Sequence, residues 1–226
     1  MIGRLEFVPG GRGSGEVTQL YGLPLLLART NPEGRFGEYR LRRAGRQLRR
    51  GGVLRTILPA GFEDEALLVR FGLRRIDPAP LLRFSAPDLA VEALRGRNTD
   101  PARAAVALAG GGIGEMFRCA AALCPRVRRI VVDAPGGEEL ALCLREQFGI
   151  PVLPPEHPAE LELRFSPPKR ERGEPCLELF GHCPALDGLK LTAPALREED
   201  RGALDVLTLL WERGKLDRSG IKIHRN

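Results

Sequence analysis

One stretch of the sequence has the residue types and spacing of a ligand cradle. In Ala104 to Glu115 (AAVALAGGGIGE), Gly110, Gly111, Gly112 and Gly114 fall directly between an apolar strand pattern and a helical pattern. Glycine has no Cβ, so a turn built from it lets the backbone approach a ligand closely. Asp133 follows 23 residues after Gly110, at the end of the apolar run Ile130 to Asp133. The same residues also fit a purely structural role, in which the glycines make a tight strand-to-helix turn and Asp133 helps cap a helix starting near Gly137. Other reactive groups are sparse. The histidines are His157, His182 and His224, and the phenols are Tyr21 and Tyr39; they form no Tyr-xxx-Lys pair and no Ser/His/Asp arrangement. His157 is the best placed, because it follows the last expected parallel strand. Cys176, His182 and Cys183 have metal-ligand chemistry, but adjacent side chains on a strand point to opposite faces, so a shared metal would need a tight turn. The five cysteines contain no CxxC pair and are expected to be reduced, without metal.

Around the glycine turn the chain resembles the βαβ core of NAD(P)-binding Rossmann domains, over residues 104–153. The resemblance implies that Gly110, Gly111, Gly112 and Gly114 admit a pyrophosphate, that the following helix N-terminus supplies N–H donors, and that Asp133 takes the ribose hydroxyls. NAD or NADP is then the expected cofactor. The sequence departs from the GxGxxG pattern at its last position, which is Glu115 when the pattern starts at Gly110 and Phe117 when it starts at Gly112. A carboxylate at 115 complements the helix dipole yet repels a diphosphate, and Arg118 is placed to offset it. S-adenosylmethionine, which has no phosphate, tolerates such a carboxylate better, so a methyltransferase-like cradle is an alternative.

The elements that must position these residues alternate short apolar runs with amphipathic stretches. Strands are expected at 23–28, 53–58, 73–76, 104–108, 129–133 and 151–153. Helices are expected at 37–50, 63–71, 87–95, 114–124 and 138–148. This is the pattern of an α/β, Rossmann-like doubly wound, mainly parallel sheet. After residue 154 short strand-like runs at 161–165, 176–180 and 189–192 are separated by Pro and Gly, which predicts a short antiparallel C-terminal extension with a loop at 166–175. A helix at 199–213 carrying Trp211 closes the chain. The expected division is therefore 1–154 and 155–226. The glycine-rich stretch 9–15 lacks the Lys-Ser/Thr pair of a P-loop and reads as a mobile turn. A weak echo links two segments: Pro59 to Gly61, an acidic helix start and Phe71-Gly72; then Pro135 to Gly137, an acidic helix start and Phe148-Gly149.

The formal net charge is +6, and only Lys169, Lys190, Lys215 and Lys222 are lysines, so arginine supplies nearly all of the 35 basic residues. Such a skew is explained more simply by coding bias than by phosphate contacts. Arg40, Arg43, Arg46 and Arg50 recur on one helical face opposite Leu41, Ala44 and Leu48; this reads first as a solvated face, with binding of an acidic protein or of nucleic acid as the functional alternative. No base-reading residues accompany it, so no specific nucleic-acid binding is expected. No leader or membrane span is legible, and the expected location is the cytoplasm. Function is thus read as a nucleotide- or cofactor-binding protein of degenerate oxidoreductase type, with a non-enzymatic scaffold or regulatory protein and an S-adenosylmethionine-binding, methyltransferase-like protein as the alternatives.

Overall fold

The computed structural model describes all residues except Ala60, Glu63, 169–172 and Asn226. Glu63, the expected start of the second helix, and part of the expected loop 166–175 therefore lie outside the described residues. Contacts divide the chain into two units, Met1–Ile76 and Asp77–Asn226, rather than at residue 154.

In the first unit, β1 (Ile2–Phe7) is followed by β2 (Arg12–Leu20) and β3 (Leu23–Thr30). The antiparallel β2–β3 hairpin turns at Tyr21 and Gly22, both with positive φ, as the right-handed twist of a two-residue hairpin requires. Then come α1 (Gly37–Arg50), β4 (Arg55–Ile57), α2 (Glu65–Arg70) and β5 (Arg74–Arg75), giving the sheet order β2-β3-β1-β4-β5. The stretch 9–15 is not a mobile turn throughout, because β2 begins at Arg12. Gly11 and Gly13 serve packing: a Cβ on Gly13 would lie 2.6 Å from the Arg40 carbonyl oxygen of α1, and one on Gly11 2.6 Å from the Thr30 backbone. Leu41, Ala44 and Leu48 of α1 are buried against Leu5, Leu26 and Ala28. On its outer face Arg43, Arg46 and Arg50 are exposed, whereas Arg40 turns back to hydrogen-bond the carbonyls of Asn31 and Glu33.

The second unit opens with α3 (Ala79–Gly96), much longer than the helix expected at 87–95. Asp77 accepts from the Ala79 amide at 3.0 Å and Pro80 sits in the first turn, so Asp77 to Pro80 is a start signal. Pro87 lies inside the helix; lacking an N–H, it leaves the Arg83 carbonyl without its helical donor. The remaining elements are β6 (Ala105–Ala109), α4 (Ile113–Leu123), β7 (Arg129–Asp133), α5 (Gly137–Phe148), β8 (Val152–Leu153), β9 (Leu161–Arg164), β10 (Cys176–Glu178), β11 (Leu189–Thr192), α6 (Leu204–Glu212) and β12 (Lys222–Arg225). The sheet order is β10-β9-β6-β7-β8, and every pairing in it is parallel.

β9 and β10, expected to be antiparallel, thus extend the parallel sheet, and among the described residues after 154 the antiparallel pair is β11 with β12. The physical reason lies in the connection from β8 to β9. It contains no helix, and Ala159 within it packs on Ala105, Ala107 and Val131. Small residues on β6 let an irregular segment lie directly on the sheet where a crossover helix normally would. The opposite face carries α4, which packs between α3 and α5. The two echoing segments occupy corresponding places, each joining the neighbour of a central strand (β4, β7) to the edge strand (β5, β8) through one helix.

The closing segment is held to α3 by aromatic and charged contacts. The Trp211 and Phe84 rings lie 5.1 Å apart, and Asp88 accepts from Arg126 at 2.6 Å and from Arg218 at 2.9 Å. Burial alone would raise the Asp88 carboxyl, but the hydrogen bonds and charges of Arg126 and Arg218 outweigh it and hold the group below its ordinary value. A depressed carboxyl stabilises the fold above the unfolded-state value of about 3.9, and that contribution is lost as the pH falls through the folded-state value. Asp88→Asn is therefore expected to lower stability at pH 7 by about 1 kcal/mol or less, since the partners are partly solvated, with the deficit closing in acid. Urea melts of both proteins between neutral and strongly acidic pH check this.

Candidate functional site

The carboxyl ends of β6, β7 and β9 meet at one edge of the second sheet. Ala109 and Asp133, the last residues of β6 and β7, are register partners, and Ala109 also pairs with Arg164, the last residue of β9. The chain leaves β6 through Gly110 and Gly111, with φ of 69° and 83°, a region where side chains are strained. The Gly110 amide donates to the Asp133 carbonyl at 3.1 Å, fixing the turn to the end of β7.

The four glycines divide into two pairs with different tasks. A Cβ on Gly110 would lie 2.3 Å from Ser166 Oγ, and one on Gly111 would lie 2.5 Å from the Phe165 Cβ. These two are needed so that the chain leaving β9 can approach the turn. A Cβ on Gly112 or Gly114 would meet nothing within 4 Å. Both are exposed, and Gly112 is the N-cap of α4 with no side-chain cap. The first amides of a helix have no intrahelical acceptor, so this end presents N–H donors beside open space.

Glu115 does not face that space alone. Arg83, from α3, donates from Nη1 to both of its carboxylate oxygens at 2.7 Å and from Nη2 to the Phe165 carbonyl at 2.9 Å. Arg118, which the sequence put forward as the offsetting charge, is exposed on α4, and the pairing falls to Arg83 instead. Asp133 is half-buried at the strand end. It does not cap α5, whose N-cap is Gly136, at φ 74° and with no side-chain hydrogen bond. A Cβ on Gly136 would lie 2.5 Å from Ile113 Cδ1, so the start of α4 packs on the turn after β7, leaving Ile113 about one-third exposed.

His157 is exposed in the segment between β8 and β9, its amide bonded to the Pro154 carbonyl. Among the described residues no three His, Cys, Asp or Glu side chains gather as a metal site, and Cys176, His182 and Cys183 form none. None of the five cysteines is in a disulfide; burial pushes the Cys119 thiol up to about 12, in keeping with a packing role. No helix among the described residues is long and apolar enough to cross a membrane. Arg83 and Ser166 are the site residues that sequence reasoning missed. Ser166 could have been found had β9 been read as parallel, since it would then follow the strand beside β6. Arg83 gave no signal, because its partners lie 32 and 82 residues away.

No protein-family model matches this sequence, and comparison with curated proteins finds no match. Among solved structures, L-tryptophan dehydrogenase from Nostoc punctiforme is similar at 15% identity and a TM-score of 0.33, over 72% of this chain and 55% of that one. The shikimate 5-dehydrogenase from Listeria monocytogenes, solved with shikimate and NAD, is similar at 12% identity and a TM-score of 0.26, over 73% and 68%. A shikimate 5-dehydrogenase-like protein gives 11% identity and 0.26, over 73% and 65%. The chain thus spans little more than half the length of the first of these. At such scores the likeness adds nothing to what the chain's own topology carries. Numbered along the second unit, the strands of the large sheet lie in the order 3-2-1-4-5, all parallel, with the glycine turn after strand 1 at the point where the order reverses. That order makes the Asp77–Asn226 unit Rossmann-like.

Proposed function

We propose that this chain binds a dinucleotide at the carboxyl edge of its second sheet, NAD in preference to NADP, and that it is a degenerate relative of the oxidoreductases that share this sheet. The carrying observation is the pairing of Gly112 and Gly114, open at the uncapped start of α4, with Asp133 in register beside the turn. Open glycines at a helix N-terminus fit a pyrophosphate, and a strand-end carboxylate accepts from ribose hydroxyls. Preference for NAD follows from charge. Asp133 would repel a 2′-phosphate, and the turn after it, Ala134 to Gly137, brings no Arg or Lys to receive one. When bound, NAD supplies a hydride acceptor; the chain's own part is to hold the diphosphate on the amides of Gly112 to Gly114 and to orient the adenosine ribose through Asp133.

The case for S-adenosylmethionine rested on a carboxylate near the loop, and that carboxylate is neutralised by Arg83. A thermal-shift screen with NAD, NADP, S-adenosylmethionine and mononucleotides tests the reading. NAD is expected to give the largest rise, about 2.7 kcal/mol of added stability at a hundredfold excess over its dissociation constant. Asp133→Ala should narrow the gap between NAD and NADP. Absence of any shift at millimolar dinucleotide returns the chain to the scaffold reading.

A further inference from the structure

We infer that Arg83 is the positioning residue of the diphosphate site, holding Glu115 away from the α4 amides so that they remain available to an anion. The inference rests on the dinucleotide reading above and assigns to this chain the device that replaces the third glycine of the pattern.

With Gly112 as N-cap, Glu115 is the third residue of α4. A glutamate at that position has a natural alternative partner, because its carboxylate reaches back to the N-cap amide in a capping box. There it would sit among the donors a diphosphate needs, favoured by the helix dipole and repelling any incoming phosphate. In this chain it does not do so. Arg83 engages both carboxylate oxygens at 2.7 Å, and its second terminal nitrogen is fixed by the Phe165 carbonyl at 2.9 Å, at the end of β9. The third nitrogen, Nε, is buried without an acceptor among the described residues. The guanidinium has left one donor unsatisfied to hold a carboxylate on its neighbouring helix and a carbonyl on the next strand, an arrangement that specifies where Glu115 points. Arg83 also cancels the charge that Glu115 brings to the anion site, and its charge-assisted pair is stronger than the neutral backbone donor that would compete for the carboxylate. One residue thus links α3, α4 and the β9 terminus around the open end of the glycine turn.

NAD titrations by calorimetry of wild type, Arg83→Met, Glu115→Ala and the double variant test this, with each melting temperature taken by circular dichroism. Arg83→Met should raise the NAD dissociation constant by about tenfold or more, the size of one lost charge-assisted interaction. Arg83→Met with Glu115→Ala should return it to within about threefold of wild type, a rescue that a merely structural arginine would not give. If Arg83→Met does not fold, Arg83→Gln, uncharged but still able to reach the Phe165 carbonyl, carries the same expectation. Wild-type binding with unchanged affinity in the arginine variant overturns the inference alone, as does a loss that Glu115→Ala fails to restore. No NAD binding by wild type and by Glu115→Ala alike overturns the dinucleotide reading and this inference with it.

Discussion

Gly112→Val is expected to abolish dinucleotide binding while leaving the fold intact, and Gly111→Val to unfold the site. The two positions are adjacent in sequence and opposite in consequence. Gly112 has φ −85° and ψ 142°, an extended conformation that valine adopts readily, and its Cβ would enter open space. The expected loss of stability is about 1 kcal/mol or less, from replacing a tolerated N-cap residue by a poor one. The branched side chain then fills the volume over the first amides of α4, where a diphosphate would lie. Gly111 has φ 83°, and its Cβ would lie 2.5 Å from that of Phe165, whose side chain is fully buried. Left-handed strain of about 1–3 kcal/mol and overpacking of similar size then add, together a large part of a typical domain's stability. Calorimetric titration with NAD and a urea melt of each variant separate the two effects. A Gly112→Val protein that binds NAD like the wild type removes the cradle from consideration.

That contrast marks how far the sequence was legible. The glycine cluster between a uniformly apolar strand and a helix, and Asp133 at the end of the next such strand, are local patterns, and both lie at the same sheet edge. Which glycine does what is not local. Gly110 and Gly111 are determined by Ser166 and Phe165, which directly follow a strand, β9, whose direction the sequence does not show. That has a physical cause, since the segment from β8 to β9 crosses the sheet without a helix over Ala105 and Ala107. A short Pro-rich connection is ordinarily the mark of an antiparallel return. The first half of α3, and with it Arg83, was hidden by Pro87, a residue that normally opens a helix or ends one. Strands β1 and β2 are not legible because Gly3 in β1 and Gly13 and Gly15 in β2 dilute the apolar alternation that announces a strand; Gly3 and Gly13 are needed for close packing, since a Cβ there would lie 2.8 Å from Val53 and 2.6 Å from the Arg40 carbonyl oxygen. The division between units fell at Ile76, where no change of composition accompanies it, and not at residue 154, where the composition does change.

The strand that closes on the glycine turn is itself set by a buried charge pair, and breaking that pair should have the largest effect on stability. Glu162 and Arg164, two residues apart on β9, point to the same face, the one that carries Ala107 and Ala109 of β6. Glu162 is fully buried and Arg164 nearly so; Arg164 donates from Nε and Nη2 to the same carboxylate oxygen, each at 3.0 Å. The other oxygen of Glu162 is buried with no hydrogen-bond partner among the described residues. Such a pair adds little net stability over an apolar one, but removing only one member strands a charge in the interior. Arg164→Met is therefore expected to destabilise the protein by about 3–5 kcal/mol, and Glu162→Leu with Arg164→Met to recover most of that loss. Because Phe165 and Ser166 follow directly and press against Gly111 and Gly110, a loosened β9 should weaken NAD binding in the single variant. Binding should return in the double. Equilibrium urea melts at neutral pH, with NAD titrations of both variants, measure the two effects; an Arg164→Met protein as stable as wild type would mean that water reaches Glu162 and that the pair does not set the strand.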